Sequence, residues 1–187
     1  KRIKGDELPG VNVFRIIDKA GNIGWVEANS VAISWEGRPA TLNFLNDITE
    51  RKQAEEQLRL QSASLEAAAN AIIITDREGV IEWANRAFTA LTGYPFAEVI
   101  GRNPRELVKS GEQNQAFYKN LWDTILAGKV WRGQIINHRK DSSLYTEEMT
   151  ITPLSNERGE VIRFIAIKQD ITERKRAEEA LRQTEEQ

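Results

Sequence analysis

The side chains with the most chemical potential in this chain sit on two alternating stretches. In Trp131-Arg132-Gly133-Gln134-Ile135-Ile136-Asn137-His138, the residues Trp131, Gly133, Ile135 and Asn137 fall on one face of a strand. Over residues 144–153, Tyr145, Glu147, Met149 and Ile151 share a face in the same way. We assign both faces to the inside of a pocket. A carboxylate such as Glu147 is costly there unless it is paired or hydrogen-bonded. Two roles are open to it: ligand contact or proton acceptor, or plain structural hydrogen-bond acceptor, with Lys168 as its partner across the sheet. Glu27 is expected at the corresponding place in an earlier, repeated segment. The chain has no Cys, which excludes disulfides, thiolate nucleophiles and Cys-ligated metals. Its one His, His138, alternates away from the assigned face, so axial ligation of haem is not expected. No Gly-rich phosphate loop, nucleophile motif or acid–base cluster is present, and no catalytic activity is expected of this segment.

A repeat organises the elements that must hold these positions. Asn46-Asp47-Ile48-Thr49-Glu50-Arg51-Lys52 reappears as Gln169-Asp170-Ile171-Thr172-Glu173-Arg174-Lys175. Each copy closes three strand-like segments, residues 11–18, 23–35 and 40–48 in the first and 130–138, 144–153 and 161–171 in the second. Turn-forming runs separate them, which predicts antiparallel meanders. Only the second copy has more in front of it. Residues 71–75 and 80–84 read as strands around an Asp76-Arg77-Glu78-Gly79 turn, and Asn85 can cap a helix running to Leu91. Gly93 and Pro95 then break the chain, and residues 113–126 place Phe117, Leu121, Trp122 and Ile125 on one helical face. Residues 70–172 therefore read as a complete α+β domain, a five-stranded antiparallel sheet with helices on one face. Residues 1–48 read as a half-domain, either the tail of a truncated domain or a half completed by a partner.

The last strand, residues 161–169, is apolar on both faces. Something is expected to cover Ile165 and Ile167 from outside, either the helix over about residues 47–69 or its equivalent in a second subunit. That helix, residues 49–69 as a linker, carries the opposite-charge pairs Arg51/Glu55, Lys52/Glu56 and Glu55/Arg59, with Ala54, Leu58 and Leu65 on a stripe. Residues 173–187 repeat the pattern with Arg174/Glu178, Lys175/Glu179 and Glu178/Arg182, and with Ile171, Ala177 and Leu181 as the stripe. Both are expected to be amphipathic, coiled-coil-like linker helices that support a homodimer; a solvated helix on a monomer is the other reading. Asp47, Ile48, Thr49 and their counterparts Asp170, Ile171, Thr172 form the junctions, where an Asp can accept hydrogen bonds from the first turn of the helix and act as cap and hinge.

The order of several short motifs resembles a PAS domain with its C-terminal PAC motif. The resemblance rests on Asn85-Arg86-Ala87-Phe88, Leu91-Thr92-Gly93-Tyr94, residues 98–104, Trp131-Arg132-Gly133, Asn137-His138-Arg139-Lys140-Asp141 and the closing Asp170-Ile171-Thr172-Glu173-Arg174-Lys175. It covers residues 70–175, and residues 11–52 look like the PAC half of a preceding PAS domain. It implies a sensory module of a bacterial signalling protein, such as a histidine kinase or a cyclic-di-GMP enzyme, with a downstream output domain in the same parent. Photoactive flavin relatives use a Cys that is absent here, where Asn103-Pro104-Arg105-Glu106 stands, so a cysteinyl-flavin adduct is excluded. Non-covalent flavin, as FAD, remains open. Trp122 and Asn137 look like the flavin-lining residues of redox-sensing relatives: an aromatic face can stack on the ring system and an amide can pair with its pyrimidine edge. Trp131, Ile135, Glu147, Met149 and Lys168 complete the candidate pocket set. Pro104 stands where a polar flavin contact is expected. The alternatives are an uncoloured small ligand and a ligand-free dimerisation or spacer module.

The composition is that of an ordinary globular chain. Its 187 residues are 40% hydrophobic and 29% charged, and 26 Lys+Arg against 28 Asp+Glu give a formal net charge of -2. Interspersed charges of both signs offer nucleic acid no electrostatic footprint. No apolar run approaches the roughly 20 residues of a membrane helix, and the first residues lack the apolar region of a signal peptide. A cytoplasmic, soluble segment is expected, whatever anchors its parent.

Overall fold

The computed structural model describes residues 11–185; residues 1–10 of the expected first half and 186–187 of the last helix lie outside the described residues. The chain divides into two compact units, Lys1–Ser62 and Ala63–Gln187. In the first, β1 (Asn12–Ile17), β2 (Ile23–Trp35) and β3 (Arg38–Asp47) form an antiparallel meander, followed by α1 (Thr49–Glu66), within which the unit boundary falls. Turn chemistry sets the hairpins. Asp18 accepts from the backbone N–H groups of Ala20 and Asn22, each at 2.8 Å, and Glu36-Gly37 both take positive φ.

The second unit begins with β4 (Ala71–Asp76) and β5 (Ile81–Ala84), then the short helices α2 (Arg86–Thr92), α3 (Phe96–Val99) and α4 (Pro104–Leu107) and the longer α5 (Gln115–Leu126). It closes with β6 (Trp131–His138), β7 (Leu144–Ser155), β8 (Val161–Asp170) and α6 (Thr172–Glu185). The five strands form one antiparallel sheet in the order β5-β4-β8-β7-β6. The expected α+β architecture is present. The core lies between the inner face of this sheet and the helices: Phe88, Leu121 and Ile125 pack with Ile73, Ile135, Met149 and Phe164. The helix expected from residue 113 starts at Gln115, because Asn114 caps it by accepting from the Phe117 N–H.

The two Asp-Ile-Thr junctions are built alike. In the second unit the Ile171 N–H donates to the Thr146 carbonyl at 2.9 Å, the Thr146 N–H donates to Thr172 Oγ1 at 2.9 Å, and the Thr172 N–H donates to Asp170 Oδ1 at 2.8 Å. In the first, Ile48 N–H to Trp25 carbonyl, Trp25 N–H to Thr49 Oγ1 and Thr49 N–H to Asp47 Oδ1 repeat the pattern at 2.9, 2.8 and 2.8 Å. The isoleucine between is 3% exposed at position 48 and 2% at 171. Each helix thus leaves its sheet from a buried, hydrogen-bonded anchor.

This alignment corrects one expected correspondence. Asp47 lies opposite Val26 and Asp170 lies opposite Glu147, so the counterpart of Glu147 is Val26, not Glu27. Glu27 instead matches Glu148: Arg51 reaches Glu27 at 3.4 Å and Arg174 reaches Glu148 at 3.8 Å. The connection between the second and third strands differs between the copies, a tight turn between Trp35 and Arg38 against a longer loop between Ser155 and Val161, which shifts the register relative to the junction and which the sequence repeat alone conceals.

On the outer face of the second unit's sheet Ile167 keeps 42% of its surface exposed, and α1 buries no residue. Some expected helix pairs are in place, Arg51–Glu55 at 3.7 Å and Arg174–Glu178 at 3.8 Å. Others shift to three-residue spacing: Lys52 pairs with Glu55, Arg59 with Glu56 and Arg182 with Glu179. Leu58, Leu65 and Leu181 are exposed.

Asn85 fastens the second unit together. Fully buried, it accepts through Oδ1 from the Ile72 and Phe88 N–H groups at 2.9 and 3.1 Å and donates through Nδ2 to the Asn70 and Leu65 carbonyls at 2.9 and 3.2 Å. Removing it loses a helix cap and orphans buried backbone groups. Asn85→Ala is expected to destabilise this unit by about 2–5 kcal/mol in urea unfolding, whereas Leu181→Ala changes stability by less than about 0.5 kcal/mol.

Candidate ligand pocket

Between the inner face of the sheet and the helices lies a cavity of about 300 Å³. Ile135 and Asn137 of β6, Met149 and Ile151 of β7, and Phe164, Ala166 and Lys168 of β8 form its floor. One wall is the segment from Asn103 to Lys109, which is fastened to the edge of β6: His138 N–H donates to the Val108 carbonyl at 2.8 Å, Lys109 bridges to Asn137, and the Ser110 hydroxyl donates to the Ile136 carbonyl. The opposite wall is α5, through Tyr118, Leu121, Trp122 and Ile125. The volume is at the small end of the about 300–1,000 Å³ of ligand sites, and the lining combines apolar walls with a few polar groups.

The PAS domain family matches residues 69–173, the stretch that contains this sheet, its helices and the junction. The chain belongs to the PAS domain family. Among curated proteins it resembles the nitrogen fixation regulatory protein of Klebsiella oxytoca, 39% identical over 118 residues, which is 63% of this chain and 24% of that protein. The chain therefore spans about a quarter of that relative's length. Among solved structures it resembles the PAS domain of an HTR-like protein from Haloarcula marismortui, 26% identical with a TM-score of 0.55, covering 65% of this chain and 98% of that one. A Light-Oxygen-Voltage domain studied with a flavin analogue shares the fold, with a TM-score of 0.54 and 23% identity over 71% of this chain and 96% of that one.

Five of the seven residues picked from the sequence line the PAS cavity: Trp122, Ile135, Asn137, Met149 and Lys168. The other two stand behind the lining. Trp131 is 6% exposed; it packs edge-on to Phe117 and turns its indole N–H to Asn120 Oδ1 at 3.3 Å. Glu147 is fully buried, and its Oε1 accepts from Asn137 Nδ2 at 3.0 Å and from Lys168 Nζ at 2.5 Å. The expected Glu147–Lys168 partnership is present, with Lys168 only 3% exposed. Two charges so placed need each other: the mutual attraction and the Asn137 amide offset the loss of hydration. Glu147 Oε2 has no hydrogen-bond partner. The Tyr145 hydroxyl, buried beside this carboxylate and the Asn137 amide and within reach of both, makes no well-aligned hydrogen bond either. Burial first, and the Glu147 charge second, push the Tyr145 phenol far above the ordinary tyrosine range.

The first unit has none of this cluster. At the positions of Asn137, Tyr145, Glu147 and Lys168, its register places Ile16, Gly24, Val26 and Leu45. The polar floor belongs to the second unit alone.

Sequence reasoning missed Tyr118, although it stands three, four and seven residues before Leu121, Trp122 and Ile125 and so shares their helical face. Its hydroxyl is buried and unpartnered, burial raises its ionisation above the ordinary value, and the Lys109 ammonium sits 4.4 Å over its ring. Asn103 and Pro104 both line the cavity. The Asn103 side chain is engaged elsewhere, accepting from the Arg105 N–H at 3.1 Å and donating to the Glu78 carbonyl at 3.2 Å, and Pro104 opens α4. His138, off the cavity as expected, holds Nδ1 3.0 Å from the Arg139 carbonyl. No group of three or more His, Cys, Asp or Glu suited to a metal occurs among the described residues.

Trp122 offers a ring, edge-on to Phe164 at 6.0 Å, and Asn137, its Nδ2 committed to Glu147, keeps its carbonyl oxygen for a ligand N–H. The unpartnered Tyr118 hydroxyl adds a donor and acceptor. These residues fit a flat heteroaromatic ligand with an amide-like edge.

The β4–β5 turn presses on this wall. Gly79 has φ +85°, and a Cβ there would lie 2.9 Å from Asn103 Nδ2 and 3.0 Å from the Trp122 ring. Gly79→Ala is expected to cost at least about 1–2 kcal/mol and to change Trp122 fluorescence. Because the phenol of Tyr145 ionises at a raised pH in the folded unit, its contribution to stability is full below the unfolded value of about 10 and is lost as pH rises above it. Phenolate absorbance followed beside circular dichroism is expected to show Tyr145 ionising only as the second unit unfolds. In Tyr145→Phe, the alkaline loss of stability is expected to be smaller.

Proposed function

We propose that residues 63–187 are the sensing part of a signalling protein: the cavity binds a small aromatic ligand, and its state reaches α6 through Asp170-Ile171-Thr172. The observation that carries this reading is the cavity itself, apolar but furnished with a free Asn137 oxygen, an unpartnered Tyr118 hydroxyl and a buried Glu147–Lys168 pair. A cavity filled by its own side chains would favour a ligand-free spacer. Here about 300 Å³ is open beside polar groups that lack partners.

Within this reading FAD is the ligand that the pocket's chemistry suits best, which makes the unit a redox sensor. A bound flavin supplies a reversible redox couple whose reduction changes charge and protonation at its ring edge. The chain's own residues do the rest. Trp122 and Leu121 would hold a flavin's ring, Asn137 would bond its polar edge, and the wall from Asn103 to Lys109 would limit its contact with water. Lys168 and Glu147 sit where a change of ligand charge is felt at low dielectric. The relatedness to a nitrogen fixation regulatory protein supports a regulatory role, and the flavin-analogue study of a structural neighbour is in keeping with a flavin.

The flanking helices complete the proposal. Exposed Leu58, Leu65, Leu181 and Ile167 suit a homodimer joined along α1, α6 and the outer sheet face, and the first unit, a PAC-like half, acts as a spacer. A histidine kinase or cyclic-di-GMP enzyme is the output domain proposed for the cytoplasmic part of the parent, and the segment itself has no catalytic role.

The test is the absorption spectrum of protein expressed with ample flavin, followed by release and chromatography of the chromophore. Flavin bands that bleach reversibly with dithionite are expected, and Asn137→Ala should lower flavin affinity about tenfold through loss of one buried hydrogen bond. A featureless spectrum would remove FAD from the reading and leave an uncoloured ligand.

A further inference from the structure

The buried charge pair is physically continuous with the helix junction. On β7, Glu147 and Tyr145 are neighbours on the inner face, and Glu147 lies directly opposite Asp170 of β8. The Tyr145 ring is covered by the Arg139 guanidinium at 4.7 Å. Arg139 then divides its donors. Nε donates to the Leu91 carbonyl at the end of α2 at 3.0 Å, and one terminal nitrogen reaches Asp170 Oδ2 at 2.7 Å. The other oxygen of Asp170 caps α6 by accepting from Thr172, N–H and hydroxyl alike. The chain of contacts therefore runs Lys168, Glu147, Tyr145, Arg139, Asp170, and ends on the first turn of α6.

One link in that chain is only half made. Glu147 gives Oε1 to Lys168 and Asn137, while its Oε2 and the adjacent Tyr145 hydroxyl are buried and make no well-aligned hydrogen bond, although the hydroxyl lies within reach of the Glu147 carboxylate and the Asn137 amide. Buried donors and acceptors left unpaired are costly, and each needs a physical reason; a second arrangement in which the two groups pair with each other supplies one here. Lys168 and Asn137, the two groups that hold Oε1, both line the cavity, so a ligand can compete for them.

We propose that the Glu147 carboxylate is a two-position switch that bonds Lys168 and Asn137 in one state and the Tyr145 hydroxyl in the other, with Tyr145 moving the Arg139 bridge that holds Asp170 at the start of α6. Drawing Lys168 or Asn137 toward a ligand releases Glu147 to Tyr145. The ring beneath Arg139 then turns, and the grip of Arg139 on Asp170 changes. The inference rests on the sensing role proposed for this unit and names its internal wiring. The first unit supplies a built-in reference: its junction has the same staple, but Gly24, Val26 and Leu45 replace Tyr145, Glu147 and Lys168, and Asp18 follows β1 where Arg139 follows β6.

Amide hydrogen exchange by NMR on the 187-residue chain without ligand tests this. The switch requires the Tyr145-bound state to be a minor state already populated without ligand, so Tyr145→Phe, which keeps the ring but removes that state, and Glu147→Gln, which keeps the shape, are each expected to change exchange at the Thr172 amide roughly fivefold or more. The Thr49 amide, at the equivalent junction, should not change. In an Arg139→Ala background neither variant should add to the change that Arg139→Ala itself produces. If Glu147→Gln fails to fold, Tyr145→Phe alone decides. An unchanged Thr172 amide, a change matched by the β4 amides, or full additivity with Arg139→Ala would overturn the switch. Because no ligand is present, failure of the flavin reading leaves these outcomes untouched, and failure here leaves flavin binding untouched.

Discussion

A charge pair buried under an apolar cavity is the constraint around which the second unit is arranged. Glu147 and Lys168 are both almost without solvent contact, and neither can be there alone. Breaking such a pair by removing one partner costs about 3–5 kcal/mol, because the remaining charge is stranded. The Asn137 amide shares the carboxylate, and Tyr145 and Arg139 are stacked beside it. The polar cluster places charge and hydrogen-bonding groups at the floor of the cavity, and the rest of the fold shields it. The helices α2 to α5 close one side and the sheet the other.

The two copies of the repeat separate what holds a helix to a sheet from what furnishes a pocket with polar groups. Both use the same three hydrogen bonds and the same buried isoleucine to launch their helix. Only the second has the polar residues on the sheet floor and the arginine that ties them to the junction aspartate. An anchor of this kind needs a few residues within one hairpin and the end of a strand, so it survives in a three-stranded half. A pocket needs a lid of helices, and residues 11–48 have none.

Much of the fold was legible in the sequence because its signals are local. Alternation in residues 131–138 and 144–151 marked the inner faces correctly, and Asn85 announced a helix start. Register was less legible. Pairing Glu27 with Glu147 by eye follows the similarity of type, but a hairpin loop of different length moves the first copy by two positions relative to its junction, and Val26 occupies the buried place. Tyr118 escaped notice for a related reason. Its neighbours Phe117, Leu121 and Trp122 carry the helical stripe, and a hydroxyl at the edge of such a stripe declares itself only when the space in front of it is seen to be open.

By itself the sequence determined the elements, their order, the inward faces and the family, because propensity, alternation and turn chemistry act over a few residues. It also determined that thiol and metal–cysteine chemistry are absent. The tertiary structure alone decided which oxygen of Glu147 is used, that Arg139 reaches from the β6–β7 turn to Asp170, and that a cavity remains between sheet and α5. Those are distances between residues far apart in the chain, set by strand register and by how completely side chains fill a closed volume, and no local signal in the sequence reports either.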